Sequence, residues 1–512
     1  MSMSKSSNRF NPTAMGRRLT VLLLAAGTQA LLVLPLQVAA ANNTITDSGI
    51  TRAVEKDLRM EKGVAPDLMD VSTSQGIVTL SGSVNNLLAK DRAVKIAETI
   101  RGVRGVIDRT TVTPVSRPDE DIRKDIMTAL LQDPATESYQ VHVSVQNAAA
   151  TLTGSVGSYG EAQLAARIAR GVKGVKQVQN DVTINYLAKR TDVEMAADVQ
   201  SRLQWDVWLS GNRINSTVKD GAVTLSGTVG SAIGKSRAFD DAWVNGVTSV
   251  DASGLKVDPN AQTVARRTFK DGLTSDREIK AAVLAALRLD PRITDLSPDV
   301  TVEDGVVILG GSVGHLKSKS AAAQDAHNIV GVFQVDNLLK VRPKTWPSDA
   351  EMQTQLKAAL SWDPLLDSST IDAAVIGRVA YLSGAVASNF EKTEAHDVAS
   401  RIKGVGMVVN HLKVEPDFAI GFYDWPYYNP WPYFVSADFG PQPYLSDKQI
   451  KQNIEDAFFW SPFVHSEDIT VTVDGGVATL TGKVGSWIGY GEADKDAHQS
   501  GATAVRNRLH VK

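Results

Sequence analysis

A short strand pattern, Leu-x-Gly-x-Val, recurs six times along the chain. The copies are Leu80/Gly82/Val84, Leu152/Gly154/Val156, Leu225/Gly227/Val229, Leu309/Gly311/Val313, Leu382/Gly384/Val386 and Leu480/Gly482/Val484. Their glycines lie 72, 73, 84, 73 and 98 residues apart. A chain that repeats one unit in this way folds as small similar domains rather than around one large core. The two long intervals leave room for extra segments at 258–274 and 416–445. The composition, 43% apolar and 22% charged over 512 residues, is that of globular protein.

Each copy opens with a helix. Ile50/Val54/Leu58, Ile122/Ile126/Leu130, Met195/Val199/Leu203, Ile279/Val283/Leu287, Met352/Leu356/Leu360 and Ile450/Ile454/Phe458 keep i, i+4, i+8 spacing, which puts one apolar stripe on each helix. Thr191…Glu194, Ser275…Glu278, Ser348…Glu351 and Ser446…Gln449 are capping boxes that satisfy the first free N–H groups. Pro134, Pro291, Pro364 and Pro462 stop four of the helices. Two strands follow, joined in the fourth copy through the hairpin signal Glu303-Asp304-Gly305. On the second strand the Leu, Gly and Val share one face, and the glycine there is expected to leave room for a helix. An alanine-rich helix then ends at Gly102, Gly174, Gly246, Gly331, Gly404 or Gly501, positions suited to left-handed backbone. A last strand begins at Val106, Val178, Val250, Val335, Val408 or Val505. The fold class is α+β: a tandem array of six α-β-β-α-β domains, each a three-stranded mixed sheet with two helices on one face.

Residues 1–41 read as an export signal. Lys5, Arg9, Arg17 and Arg18 precede an apolar run from Val21 to Leu34, and small residues cluster at Val38-Ala39-Ala40-Ala41. An uncleaved inner-membrane anchor is the other reading, but Pro35 and the alanines favour cleavage. The formal charge of −3 becomes −7 once this acid-free segment is removed. That acidity argues against a nucleic-acid partner. The absence of cysteine removes disulfides and thiolate sites, and with an export signal it points to the periplasm.

The repeated Gly-Val-Val-x-Leu-x-Gly-x-Val, followed by an alanine-rich helix and Gly-Val-x-x-Val-x-Asn, resembles the BON domain (bacterial OsmY and nodulation domain). The fourth copy carries it as Gly305-Val306-Val307-Ile308-Leu309-Gly310-Gly311-Ser312-Val313 and Gly331-Val332-Phe333-Gln334-Val335-Asp336-Asn337. The resemblance covers 46–114, 117–185, 191–257, 275–342, 347–415 and 446–512. Ala148 and Arg378 stand where the hairpin glycine belongs, and Gly501-Ala502 replaces Gly-Val in the last copy. The resemblance implies a binding module rather than an enzyme. It implies envelope proteins linked to osmotic and other stress, contact with phospholipid membranes and, in one member type, a chaperone role for exported proteins.

The residues themselves offer no catalytic, cofactor-binding or metal set. The eight histidines form no His-x-x-x-His or His-Glu-x-x-His pattern, and neither a Gly-x-Ser-x-Gly elbow nor a Walker loop is present. His327 and His498 hold matching positions that read as helix surface. Asp119-Glu120-Asp121 reads as a helix start, and Arg266, Arg267 and Lys270 as part of a solvated linker. Segment 418–444 stands apart, with 11 of the 31 aromatic residues and 5 of the 19 prolines. Trp425, Tyr427, Tyr428, Trp431, Tyr433 and Phe434 there are candidate membrane- or partner-binding residues, on an arm that prolines keep from being helical. The same arm could instead pack on copies five and six. Copies this small gain from contact with one another, through open sheet faces or edges, while remaining an array of self-contained domains. The expectation is a non-enzymatic periplasmic protein that binds phospholipid surfaces and supports envelope integrity, with a stress chaperone or protein-interaction scaffold as the alternative.

Overall fold

The structure, a computed structural model, describes residues 45–60, 64, 68–137, 139–186, 188–209, 212–259, 261, 275–294, 297–414, 445–464 and 466–511. The export segment, most of the 258–274 linker and the aromatic arm with Trp425, Tyr427, Tyr428, Trp431, Tyr433 and Phe434 lie outside the described residues.

The fourth domain illustrates the unit. Its first helix, Asp276–Leu289, starts at the Ser275 capping box, in which Ser275 and Glu278 satisfy each other's backbone N–H groups. The strands Ser297–Glu303 and Val306–Val313 pair antiparallel. The second helix, Leu316–His327, returns the chain so that Gln334–Asn337 pairs parallel with the central strand. Val307 and Leu309 of that strand are buried with Ile279, Val283 and Leu287 of the first helix and Ala322 and Ala326 of the second. The other five domains have the same mixed three-strand order, so the expected fold class is the observed one. All four expected capping boxes form. The helix-closing glycines, Gly102 to Gly501, all have positive φ, between 88° and 101°.

One contact recurs in every domain. The aspartate that opens the first helix reaches the hairpin turn and accepts from two successive amides. Asp276 takes the N–H groups of Asp304 and Gly305 at 2.9 and 3.0 Å. Asp47, Asp119, Asp192, Asp349 and Asp447 do the same. Both turn residues are left-handed, which positions their amides side by side; even Ala148 and Arg378 accept that backbone, at φ 62° and 67°.

The strand glycines do a different job from the one expected of them. Gly82, Gly154, Gly227, Gly311, Gly384 and Gly482 have φ between 95° and 129°. A Cβ on Gly82 would collide with the carbonyl oxygen of Leu68, and one on Gly384 with that of Thr370. The close neighbour is therefore the adjoining strand's backbone, not a helix.

The six domains, each with its own core, also pack on one another. They meet through their helices in pairs: first with sixth, second with fifth, third with fourth. In each pair the amide just before one helix-closing glycine bonds the carbonyl of a tryptophan ending the partner's first helix. Arg101 donates to Trp460 at 2.7 Å, Lys173 to Trp362 at 2.8 Å and Val330 to Trp205 at 2.9 Å. Each indole packs on the partner domain's core. In each partner the matching position holds Met60, Gln132 or Leu289 instead. At this position each pair therefore has one tryptophan.

A second set of contacts links the second helices three by three. Asp91 pairs with Arg170 at 3.4 Å, Glu98 accepts from Ser236 at 2.7 Å, and Tyr159 stacks on Trp243 at 3.9 Å, joining domains one to three. Lys317 with Asp397 (2.6 Å) and His327 with Trp487 (5.2 Å between rings) join domain four to five and six. Domains one to three close a ring, the fourth bridges the fifth and sixth, and the three pairs cross-link the two groups. Contact runs through the helix layer, so the outer sheet faces are left open rather than covered as expected.

Candidate functional site

Alternation along a strand assigns every second side chain to the open face. In the second domain that face is polar across all three strands: His142 lies opposite Thr153 and Asp181, and Ser144 opposite Thr151 and Gln179. The fifth domain differs. Ile376, Val379 and Met407 form one cross-strand row, and Ala374, Tyr381 and Val409 the next. Ile376 is 67% exposed and Met407 52%, and Tyr381 also faces solvent. At the turn end of this face Arg378 lies over the exposed ring of Trp346, 3.8 Å from its centroid. Asp372 and Lys413 lie toward the other end. An apolar band with an aromatic and a cation at one border can seat an apolar surface or chain.

The inward helix layer is where charge gathers. The aspartate capping the first helix meets an acid of the second helix in domains three, four and five. Burial first, and then the neighbouring Asp241, push Asp206 up to about 7, although Arg237 Nε lies 2.5 Å away. Arg202 holds Asp241 at 2.9 Å. Burial and Asp290 likewise hold Asp325 well above the carboxylate range. Asp290 itself stays low, because hydrogen bonds from Arg292 outweigh its own burial. Burial and Glu394 push Asp363 up to about 7. In each pair burial and a neighbouring carboxyl oppose the ionisation of one acid.

Of the residues singled out in the sequence, the strand glycines hold the sheet together in every domain, and the aromatic candidates fall outside the described residues. His327 is not a free helix-surface group: it is half-buried beside Trp487, and burial lowers its pKa. His498 is exposed and bonds the Asp494 carbonyl. Asp119 is the turn anchor of its domain. The apolar face and the paired tryptophans escaped sequence reading, although Trp205, Trp362 and Trp460 share one repeat position.

Among the described residues, no helix is long and apolar enough to cross a membrane. The BON domain family matches residues 46–114, 118–186, 191–259, 275–343, 348–416 and 446–512. Osmotically-inducible protein Y of Escherichia coli (strain K12) is 32% identical over 147 residues, 27% of this chain and 73% of that protein. Outer membrane lipoprotein DolP of Haemophilus influenzae is 30% identical over 135 residues, 25% of this chain and 67% of that protein. A chain of CdsD, a structural protein of the type III secretion system of Chlamydia trachomatis, is 14% identical, with a TM-score of 0.12; the similarity covers 43% of this chain and 98% of that one. With six matched segments spanning nearly all of the described residues, each built as the same α-β-β-α-β unit, the chain belongs to the BON domain family.

Proposed function

We propose that this is a non-enzymatic protein of the bacterial envelope that binds phospholipid membrane surfaces and supports envelope integrity under stress. The observation that carries the reading is the open face of the fifth domain, where Ile376, Tyr381 and Met407 are exposed side by side. A soluble domain has little reason to keep such a band uncovered unless something apolar meets it. The relatives, one named for osmotic induction and one an outer membrane lipoprotein, support an envelope or stress setting. With a charge of −7 after loss of the export segment, attachment rests on apolar contact more than on attraction to anionic lipid. Periplasmic residence follows from the export signal read in residues 1–41.

Vesicle co-sedimentation tests the reading. The full mature chain pellets with phosphatidylcholine vesicles, and added salt changes this little. Ile376→Glu with Met407→Glu reduces the bound fraction several-fold, while deletion of 418–444 reports on the aromatic arm separately. If the wild type does not pellet but suppresses aggregation of an unfolded client, the chaperone or scaffold reading replaces this one.

A further inference from the structure

The chain leaves the fifth domain along the sheet that carries its apolar band. Val414, the last described residue of that domain, pairs with Val386 at the end of the central strand. Val379 and Tyr381 of the band lie on the same strand, and Val379 is seven residues back, about 23 Å. The next described residue, Leu445, leads into the sixth domain. Between them stand the 30 residues 415–444. Trp425 comes eleven residues after Val414, and an extended chain of that length covers about 36 Å. The segment is therefore long enough to lie back across the whole band. Pro416 and Asp417, at its start, are residue types that favour chain reversal.

The sequence of the segment suits that seat. Phe422, Trp425, Tyr428, Trp431 and Phe434 recur at every third position. Pro426, Pro430 and Pro432 exclude a regular helix and favour the polyproline form, in which three residues per turn set every third side chain on one side. The five aromatics then make one apolar stripe. Charge agrees as well. Glu415, Asp417, Asp424 and Asp438 are the only charged residues in 415–444. The side chains of Arg378 and Lys413, at the two ends of the face, have no ion pair among the described residues, and Asp372 is the one acid on its strands. The sixth domain, the segment's other neighbour, presents Thr470, Thr472, Arg506 and Arg508 on its open face and gives an aromatic stripe little to cover.

We propose that the open face of the fifth domain is the docking site for segment 418–434 of the same chain, with Ile376, Tyr381 and Met407 receiving the aromatic stripe. Rings and a thioether pack well on one another, and a proline-rich chain is already extended before it docks, so little order is lost. The contact itself does not rest on the membrane reading; its effect on lipid binding does. Where both hold, segment and bilayer compete for one surface, and lipid reaches the face by displacing the segment.

Methionine oxidation of the full mature chain, read by mass spectrometry in the absence of lipid, tests the contact. Phe422→Ser, Trp425→Ser, Tyr428→Ser, Trp431→Ser and Phe434→Ser together raise the oxidation rate of Met407 at least about threefold. Met127 of the second domain, also exposed, keeps its rate in the same sample. The reciprocal change is read by proteolysis: Ile376→Glu, at an exposed position that leaves the core intact, speeds chymotrypsin cleavage within 418–434 at least about threefold. An unchanged Met407 rate overturns the proposal. Protection of Met407 that grows with protein concentration overturns it too, since a second copy then covers the face. Vesicle binding separates the two readings: protected Met407 in a chain that does not pellet with phosphatidylcholine vesicles upholds the docking and defeats the membrane reading alone.

Discussion

The amide of Lys173 donates to the carbonyl of Trp362 at 2.8 Å, tying the second domain to the fifth. The Lys173 ammonium also reaches the carbonyls of Ser361 and Leu366, both at 3.1 Å. The indole of Trp362 packs against the cores of both domains. The stability of either domain is therefore partly a property of the pair.

Trp362→Ala removes that shared contact. Because the ring is half-buried, the cost falls at about 2–3 kcal/mol, below the usual range for a fully buried aromatic. Urea unfolding followed by circular dichroism reads it as a lower midpoint, with the second and fifth domains unfolding ahead of the rest. A single unshifted transition would show that the indole adds nothing to the pair.

Asp276→Ala frees the hairpin turn of the fourth domain. Two charge-assisted bonds to Asp304 and Gly305 are lost, and the turn's left-handed backbone loses its anchor. Amide exchange at those two residues accelerates about tenfold or more, while the turn of the third domain, anchored by Asp192, keeps its protection.

The buried carboxyls with raised pKa give stability a definite pH slope. Asp206 is raised from 3.8 to about 7 in the folded protein. The native state thus holds a proton that the unfolded chain releases between these values. Its contribution is complete below about pH 4 and is lost as pH rises toward 7. Asp363 acts in the same sense. The capping residues Glu194, Glu278 and Glu351 are lowered by hydrogen bonds at their helix starts, so their contribution is lost only in stronger acid. The melting temperature is expected to be higher at about pH 5 than at about pH 8, and Asp206→Asn flattens the difference. A melting temperature that rises from the lower to the higher pH would contradict this account.

What the sequence made legible was local. Capping boxes, apolar stripes and helix-closing glycines each depend on neighbours a few residues away, and the structure has them where periodicity put them. The strand glycine was found, but its purpose was not, because the carbonyl it avoids belongs to the adjoining strand. The turn-anchoring aspartates, in place before every hairpin, become visible only when the six copies are laid over one another. The carboxyl pairs and the open apolar face depend on which helices meet and which sheets remain uncovered. The residues of each lie within single repeats, but burial of the first and exposure of the second are set by how the repeats meet.

The nesting of the pairs sets an order of completion as the chain is made. Domains three and four are neighbours and can join as soon as both emerge; two and five must wait for a longer loop to close, and one and six for the longest. The first domain to be made is the last to receive its tryptophan, Trp460. Until then its core lacks one wall, and the earliest part of the chain to arrive is the part left unfinished longest.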